Sequence, residues 1–262
     1  MIGIFDSGLG GLSALKEIKK LFPNEDIVYF GDTGRVPYGT RSVETIKKYA
    51  LQDMAFLMTK NVRAVVAACG TVSSTALGDI RSAFSLPVIG VVEGAAKAAA
   101  QATKNNRVAV IGTSATIKSC AYDRELNKLN GDIEIYKKAC PMFVPLVENG
   151  IISPDDEVLK LMCERYLADI RKWSADTLIL GCTHYPIIKE AIGNTLPGVT
   201  LVDTGKEAAK LLREQLGEEK PENGTVEYFV SDDVDSFTKT AQVFLGDKIE
   251  GSVKKIDINN FL

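Results

Sequence analysis

An α/β protein on mainly parallel sheets, arranged as two similar halves, is predicted here by two observations. Short β-branched runs alternate with longer segments of helical period, as strands joined by crossover helices do. One arrangement, an apolar strand running into a small polar turn and then a helix, also occurs four times along the chain.

In order, the first candidate strand is 2–5, an apolar run meeting the turn formers Asp6-Ser7-Gly8. The second, 27–30, ends at Gly31-Asp32-Thr33-Gly34, and the third, 64–68, leads into Cys69-Gly70-Thr71. Segments 88–92 and 108–111 follow, the latter meeting Gly112-Thr113-Ser114, and then 133–137. The clearest helix starts at Ser153-Pro154-Asp155-Asp156, where a cap residue, a proline at the first helical position and early acids favour initiation. It carries Leu159, Met162, Cys163, Tyr166 and Ile170 on one face, so Cys163 reads as core. Strand 177–180 enters Gly181-Cys182-Thr183-His184, and strands 199–202 and 226–230 complete the set. The turns after 2–5 and 64–68 are echoed by those after 108–111 and 177–180. Ligands bind at the carboxyl edges of open α/β sheets, and a cleft between two halves would gather all four turns. With no low-complexity linker, more than one chain crossing between the halves is expected.

The 262 residues, 45% of them hydrophobic, suffice for one large or two small cores. Lys plus Arg (31) nearly balances Asp plus Glu (34), and no run of one sign is long enough to make a sustained field, which argues against a nucleic-acid partner. No apolar run reaches the roughly 20 residues of a membrane span, and the strand-like Met1-Ile2-Gly3-Ile4-Phe5 is unlike a secretory leader. The five cysteines are odd in number, widely spaced and without a Cys-x-x-Cys pair, which fits a reducing, cytoplasmic setting.

Asp6-Ser7-Gly8-Leu9-Gly10-Gly11 is a glycine-rich turn opening onto a helix, where free N–H groups can hold an anion. Ser13 stands where a dinucleotide fingerprint wants glycine, and no Gly-Lys-Ser/Thr follows, so a carboxylate is favoured over a phosphate. The plainer reading is a tight turn capped by Asp6. Cys69 and Cys182 each end a buried strand just before a probable helix, a position that can lower a thiol's pKa. One such cysteine alone reads as an inert buried thiol; two in similar frames, with Thr71 and Thr183 close behind, suggest acid/base work. His184, the single histidine, can exchange a proton with Cys182, or simply cap a helix start. The spacings of metal-ligand types do not match a zinc site. Gly31 to Gly39 is rich in turn formers, and its Pro37-Tyr38-Gly39 can line a pocket. Glu148 reads as a surface glutamate or as an acid near the second thiol.

Taken in order, Asp6-Ser7-Gly8-Leu9-Gly10-Gly11, Gly31-Asp32-Thr33 with Arg35-Val36-Pro37-Tyr38-Gly39, Cys69-x-Thr71, Gly112-Thr113-x-x-Thr116-Ile117, Val144-Pro145-Leu146-Val147-Glu148 and Gly181-Cys182-Thr183-His184-Tyr185-Pro186 resemble the glutamate racemases of the aspartate/glutamate racemase superfamily over nearly the whole chain. The resemblance implies two pseudosymmetric flavodoxin-like α/β domains, 1–91 with 206–262 and 92–205, with the active site between them. It implies no cofactor, neither pyridoxal phosphate nor metal. Cys69 and Cys182 would be the two acid/base thiols, aided by Asp6 on the first side and by His184 and Glu148 on the second. Asp6, Ser7, Tyr38, Gly39, Gly70, Thr71, Thr113, Thr116, Thr183 and His184 would bind glutamate. A role in supplying D-glutamate for peptidoglycan follows, and a homodimer is left open. One departure stands out: Gly70 occupies the place of the usual asparagine, so backbone or water takes over its hydrogen bonds, or substrate choice changes. A racemase of aspartate or another small acid, and a two-lobed carboxylate-binding protein without turnover, remain alternatives.

Overall fold

The computed structural model describes residues 1–217, 224–249 and 251–261. Strands β1 (Ile2–Asp6), β2 (Ile27–Gly31), β3 (Ala64–Ala67) and β4 (Val88–Gly90) belong to a first sheet. Strands β5 (Arg107–Gly112), β6 (Glu134–Ala139), β7 (Thr177–Gly181) and β8 (Thr200–Asp203) make a second, and the chain then returns with β9 (Val226–Val230) and β10 (Val253–Lys255) to the first. The helices are α1 (Leu12–Leu21), α2 (Val43–Met58), α3 (Gly70–Thr75), α4 (Leu77–Ala83), α5 (Val91–Ala102), α6 (Ser114–Ser119), α7 (Ala121–Leu129), α8 (Phe143–Glu148), α9 (Glu157–Lys172), α10 (Lys189–Thr195), α11 (Thr204–Leu216) and α12 (Val234–Leu245).

Among the described residues every strand pairing is parallel. The first sheet runs β10-β9-β2-β1-β3-β4 and the second β6-β5-β7-β8. Apart from the two returning strands, both have the order second-first-third-fourth, so β1 corresponds to β5 and β3 to β7. In such a sheet the order reverses between the first and third strands, and the crevice at their carboxyl ends is where a ligand sits. Asp6 and Cys69 follow that edge of one sheet, Thr113 and Cys182 that of the other.

The central strands are buried on both faces, and so β1, β2, β3 and β7 are unbroken buried, largely apolar runs rather than alternating ones. One core packs Phe5, Val28 and Phe30 against Ile46, Met54 and Leu57 of α2. Another joins Val108, Val110 and Ile179 to Ala95 and Ala99 of α5. The largest spans the two sheets, running from Ile2 and Ile4 through Leu15, Ile18 and Leu212 to Ala109, Ile111 and Leu180. Helix α11 packs on both α1 and α5, and Gly205 permits this because a Cβ there would lie 3.0 Å from Ala14 Cα.

Three local expectations need correction. The run 88–92 is not all strand: it stops at Gly90, and Val91 and Val92 open α5, where burial rather than β propensity decides their conformation. Helix α9 is capped by Asp156, not Ser153; its carboxylate accepts from Val158 N at 2.9 Å and Leu159 N at 3.0 Å. Ser153-Pro154-Asp155 forms a turn before it, in which Asp156 N donates to Ser153 O at 3.0 Å. Strand β10 was not anticipated, for it is a short edge strand with two exposed lysines and no apolar run. Among the described residues no helix is long and apolar enough to cross a membrane.

Candidate active site

The carboxyl edges of the two sheets enclose a cavity of about 310 Å³. The first sheet contributes Asp6 at the end of β1 with Ser7 and Gly8 after it, Tyr38 and Gly39 from the loop after β2, and Cys69, Gly70 and Thr71 after β3. The second contributes Thr113 after β5, Glu148 of α8, and Cys182, Thr183 and His184 after β7. Both thiols thus open into one space from opposite sheets. Thr116 is the one residue of the expected set outside its walls. It is buried behind Thr113, whose hydroxyl accepts from Thr116 N at 3.2 Å and lies 3.0 Å from Thr116 Oγ1. Thr116 therefore shapes the cap of α6.

The walls are held by contacts between the halves. The Ser13 hydroxyl donates to Thr183 O at 2.9 Å, and Thr71 Oγ1 lies 3.0 Å from Thr113 Oγ1. Bare backbone allows three closer approaches. A Cβ on Gly10 would fall 2.1 Å from Thr183 Oγ1, one on Gly39 2.9 Å from Thr113 Cβ, and one on Gly70 2.5 Å from Gly181 O. Where a side chain at position 70 would start, the backbone carbonyl of Gly181 in the other cysteine loop already stands, so glycine there lets the two loops meet.

Asp6 is buried, accepts from Gly8 N at 2.9 Å through Oδ2, and has no partner for Oδ1. Burial raises its pKa, against the lowering effects of His184 and the Gly8 and Gly11 backbone. Its seat needs Gly11, where a Cβ would lie 2.6 Å from Asp6 Cβ. Tyr29 OH donates to Gly8 O at 2.8 Å and steadies the turn from below. Beside it, Cys69 Sγ donates to Ser7 Oγ at 3.5 Å. Its position before α3 does not lower its pKa as expected: burial first, then the Asp6 charge, push the thiol up to about 12.

Cys182 has different neighbours. Its Sγ lies 3.9 Å from His184 Nδ1, and His184 Nε2 lies 2.9 Å from Glu148 Oε1. Burial disfavours the imidazolium, but Cys182 and Glu148 together outweigh it and lift the His184 pKa to about 10. Phe244 of α12 meets the His184 ring edge-on, with centroids 5.2 Å apart. The sequence offers no signal for that aromatic contact, nor for the apolar lip that Leu9, Val36, Pro141 and Val144 form beside the expected Pro37. Among the described residues no lysine or arginine lines the cavity. No group of three or more metal-ligating side chains stands together among the described residues.

Comparison with known proteins agrees with this geometry. Residues 3–212 match the family model described as Asp/Glu/Hydantoin racemase. A glutamate racemase of Geobacter metallireducens is 45% identical over 263 residues, covering 98% of this chain and 96% of that protein. The crystal structure of glutamate racemase from Francisella tularensis in complex with D-glutamate superposes with a TM-score of 0.92 at 37% identity, covering 99% of this chain and 98% of that one. That of the Thermus thermophilus enzyme in complex with β-chloro-D-alanine gives 0.89 at 42% identity, over 99% and 98% of the two chains. With two parallel-sheet α/β halves and a cavity between them, the chain belongs to the Asp/Glu/Hydantoin racemase family and is an amino-acid racemase.

Proposed function

We propose that this racemase interconverts L- and D-glutamate by proton transfer between two thiols, without a cofactor, and so supplies the D-enantiomer for peptidoglycan. The observation that carries the mechanism is that Cys69 and Cys182 line one cavity from opposite sheets. Racemisation removes a proton from one face of the α-carbon and delivers another to the opposite face, which calls for two groups. One sulfur, as thiolate, takes the α-proton and becomes a thiol. The other, as thiol, gives its proton to the far face and becomes a thiolate. The reverse reaction exchanges their roles. Asp6 assists Cys69, and His184 with Glu148 assists Cys182. Ser7, Thr71, Thr113 and Thr183, with backbone N–H groups of the strand-end turns, hold the carboxylates and stabilise negative charge as it develops. Glutamate is favoured by the relatives named above and by the D-glutamate of the Francisella complex. We further assign 1–91 with 206–262 to one domain and 92–205 to the other, a division that strand membership supports.

The test is racemisation of each glutamate enantiomer in heavy water by the wild type, Cys69→Ser and Cys182→Ser, with aspartate alongside. The wild type is expected to place deuterium at the α-carbon, and each variant to lose racemisation by about 10³-fold or more. Substantial racemisation by either variant would remove that cysteine from the mechanism, and faster turnover of aspartate would overturn the substrate.

A further inference from the structure

Behind the cavity's lip lies a buried polar cluster that the reaction does not use. Asp32 and Asp53 are both fully buried, and among the described residues a single cation, Arg35, serves them. Its Nε donates to Asp32 Oδ2 at 2.6 Å, Nη2 to Asp53 Oδ1 at 2.9 Å and Nη1 to Gln52 Oε1 at 2.5 Å, while its guanidinium lies 4.1 Å from the centre of the Tyr49 ring. Ser231, at the end of β9, donates to Asp32 Oδ1 at 2.7 Å and accepts from Gly34 N at 2.8 Å. The Tyr38 hydroxyl meets Asp32 Oδ2 on one side and Asp53 Oδ2, 3.0 Å away, on the other.

Two features of this arrangement are unbalanced if both carboxyls are ionised. One guanidinium cannot neutralise two buried charges, and a phenol has one proton to offer two acceptors. A proton on Asp53 resolves both. Asp53 then donates to the Tyr38 oxygen, Tyr38 donates to Asp32, and Arg35 balances Asp32. Burial and the neighbouring Asp32 charge drive the Asp53 carboxyl in this direction, well above its ordinary range, against Arg35 and the Tyr38 hydrogen bond; Asp6 adds to the same push.

We propose that Asp53 is a positioning residue that works as a neutral acid, holding Tyr38 and through it the lip at Gly39 against Thr113 of the second sheet. The proposal rests on the reading of the cavity as the substrate site. Tyr38 then contributes to that site through its backbone and ring, because its hydroxyl is committed to the carboxyls.

An asparagine has nearly the shape of the neutral acid and can likewise turn an acceptor oxygen to Arg35 and a donor to Tyr38, so Asp53→Asn and Asp53→Ala separate the alternatives. KM and kcat for L-glutamate are measured for both variants and the wild type across the neutral to alkaline range, together with Tm from the acidic carboxylate range upward. D53N is expected to keep KM within about twofold at neutral pH and D53A to raise it about tenfold with a smaller change in kcat. A carboxyl whose pKa is higher folded than unfolded stabilises fully below the unfolded value, and that stabilisation is lost as pH rises toward the folded value. The wild type should therefore lose Tm over that window, and D53N should remove this component and be the more stable at neutral pH. Equal damage from D53N and D53A, or a D53N Tm below the wild type's, would mean an ionised carboxylate and overturn the proposal; so would an unchanged KM in D53A. Should D53A not fold, the D53N values decide alone. If Asp53 fails these tests while C69S and C182S are inactive, the site reading stands without this positioning role. Activity in C69S or C182S removes the site reading on its own terms.

Discussion

Cys69 and Cys182 end corresponding strands of two sheets with the same strand order, yet their surroundings carry opposite charge. Cys69 faces a buried carboxyl and a serine hydroxyl, and its thiol is pushed up to about 12. Cys182 faces a histidine lifted to about 10, itself tied to Glu148. The comparison teaches that a repeated scaffold fixes where the sulfurs stand, while companions two residues away or on a neighbouring strand decide what charge each sulfur meets. In the proposed cycle the empty enzyme keeps the proton on Cys69 and a cation beside Cys182, so the two directions start from unlike states.

The largest expected break in this asymmetry comes from His184→Gln. Without the imidazolium beside Cys182, racemisation should fall about 10²- to 10³-fold. Because the enantiomers are equally stable in water, kcat/KM must fall equally in both directions. The asymmetry should appear instead in α-deuterium entering unconverted substrate: the enantiomer whose proton Cys69 removes should keep its exchange, and the other should lose it. Equal loss from both would show that His184 serves the whole cavity. A smaller effect is expected from Asp6→Asn. Removing that charge should lower the pH at which Cys69 becomes reactive by about one unit, with roughly tenfold lower turnover. Iodoacetamide labelling against pH in a C182S background reads it, and an unmoved midpoint would discard Asp6 as the electrostatic partner. The smallest concerns the shared contact between the two cysteine loops. Gly70→Ala puts a Cβ 2.5 Å from Gly181 O and should raise KM a few-fold by parting the loops, an effect of about 1 kcal/mol. Gly78→Ala in α4, with nothing within 4 Å of its new carbon, should leave KM alone and add about 0.5–1 kcal/mol of stability. Equal KM values for the two variants would refute the steric account.

Much of this was legible in the residues because strands buried on both faces are written as continuous apolar runs, and each stops at a turn that carries chemistry. The Asp6, Cys69, Thr113 and Cys182 turns were found that way, and they meet because parallel strands of matching order bring their carboxyl ends to one crevice. What stayed hidden depends on pairing across distance. Ser13 joins Thr183, Phe244 meets His184, and Arg35 reaches Asp53, each between elements that no local period connects. Thr116 shows the converse. Its motif drew it into the binding set, but one turn of helix places its hydroxyl behind Thr113.

Strand β2 pairs with β9, which comes after the entire second sheet, and Asp26 accepts hydrogen bonds from Thr225 across the same junction. A growing chain therefore carries β2 with one side of its ladder vacant until synthesis is almost over, whereas β5 to β8 emerge consecutively and find their neighbours at once. An unpaired strand flank invites association with other chains. Premature termination just before β9 should thus yield a second half able to collapse natively and a first half prone to clump, which makes late translation the vulnerable interval for this fold.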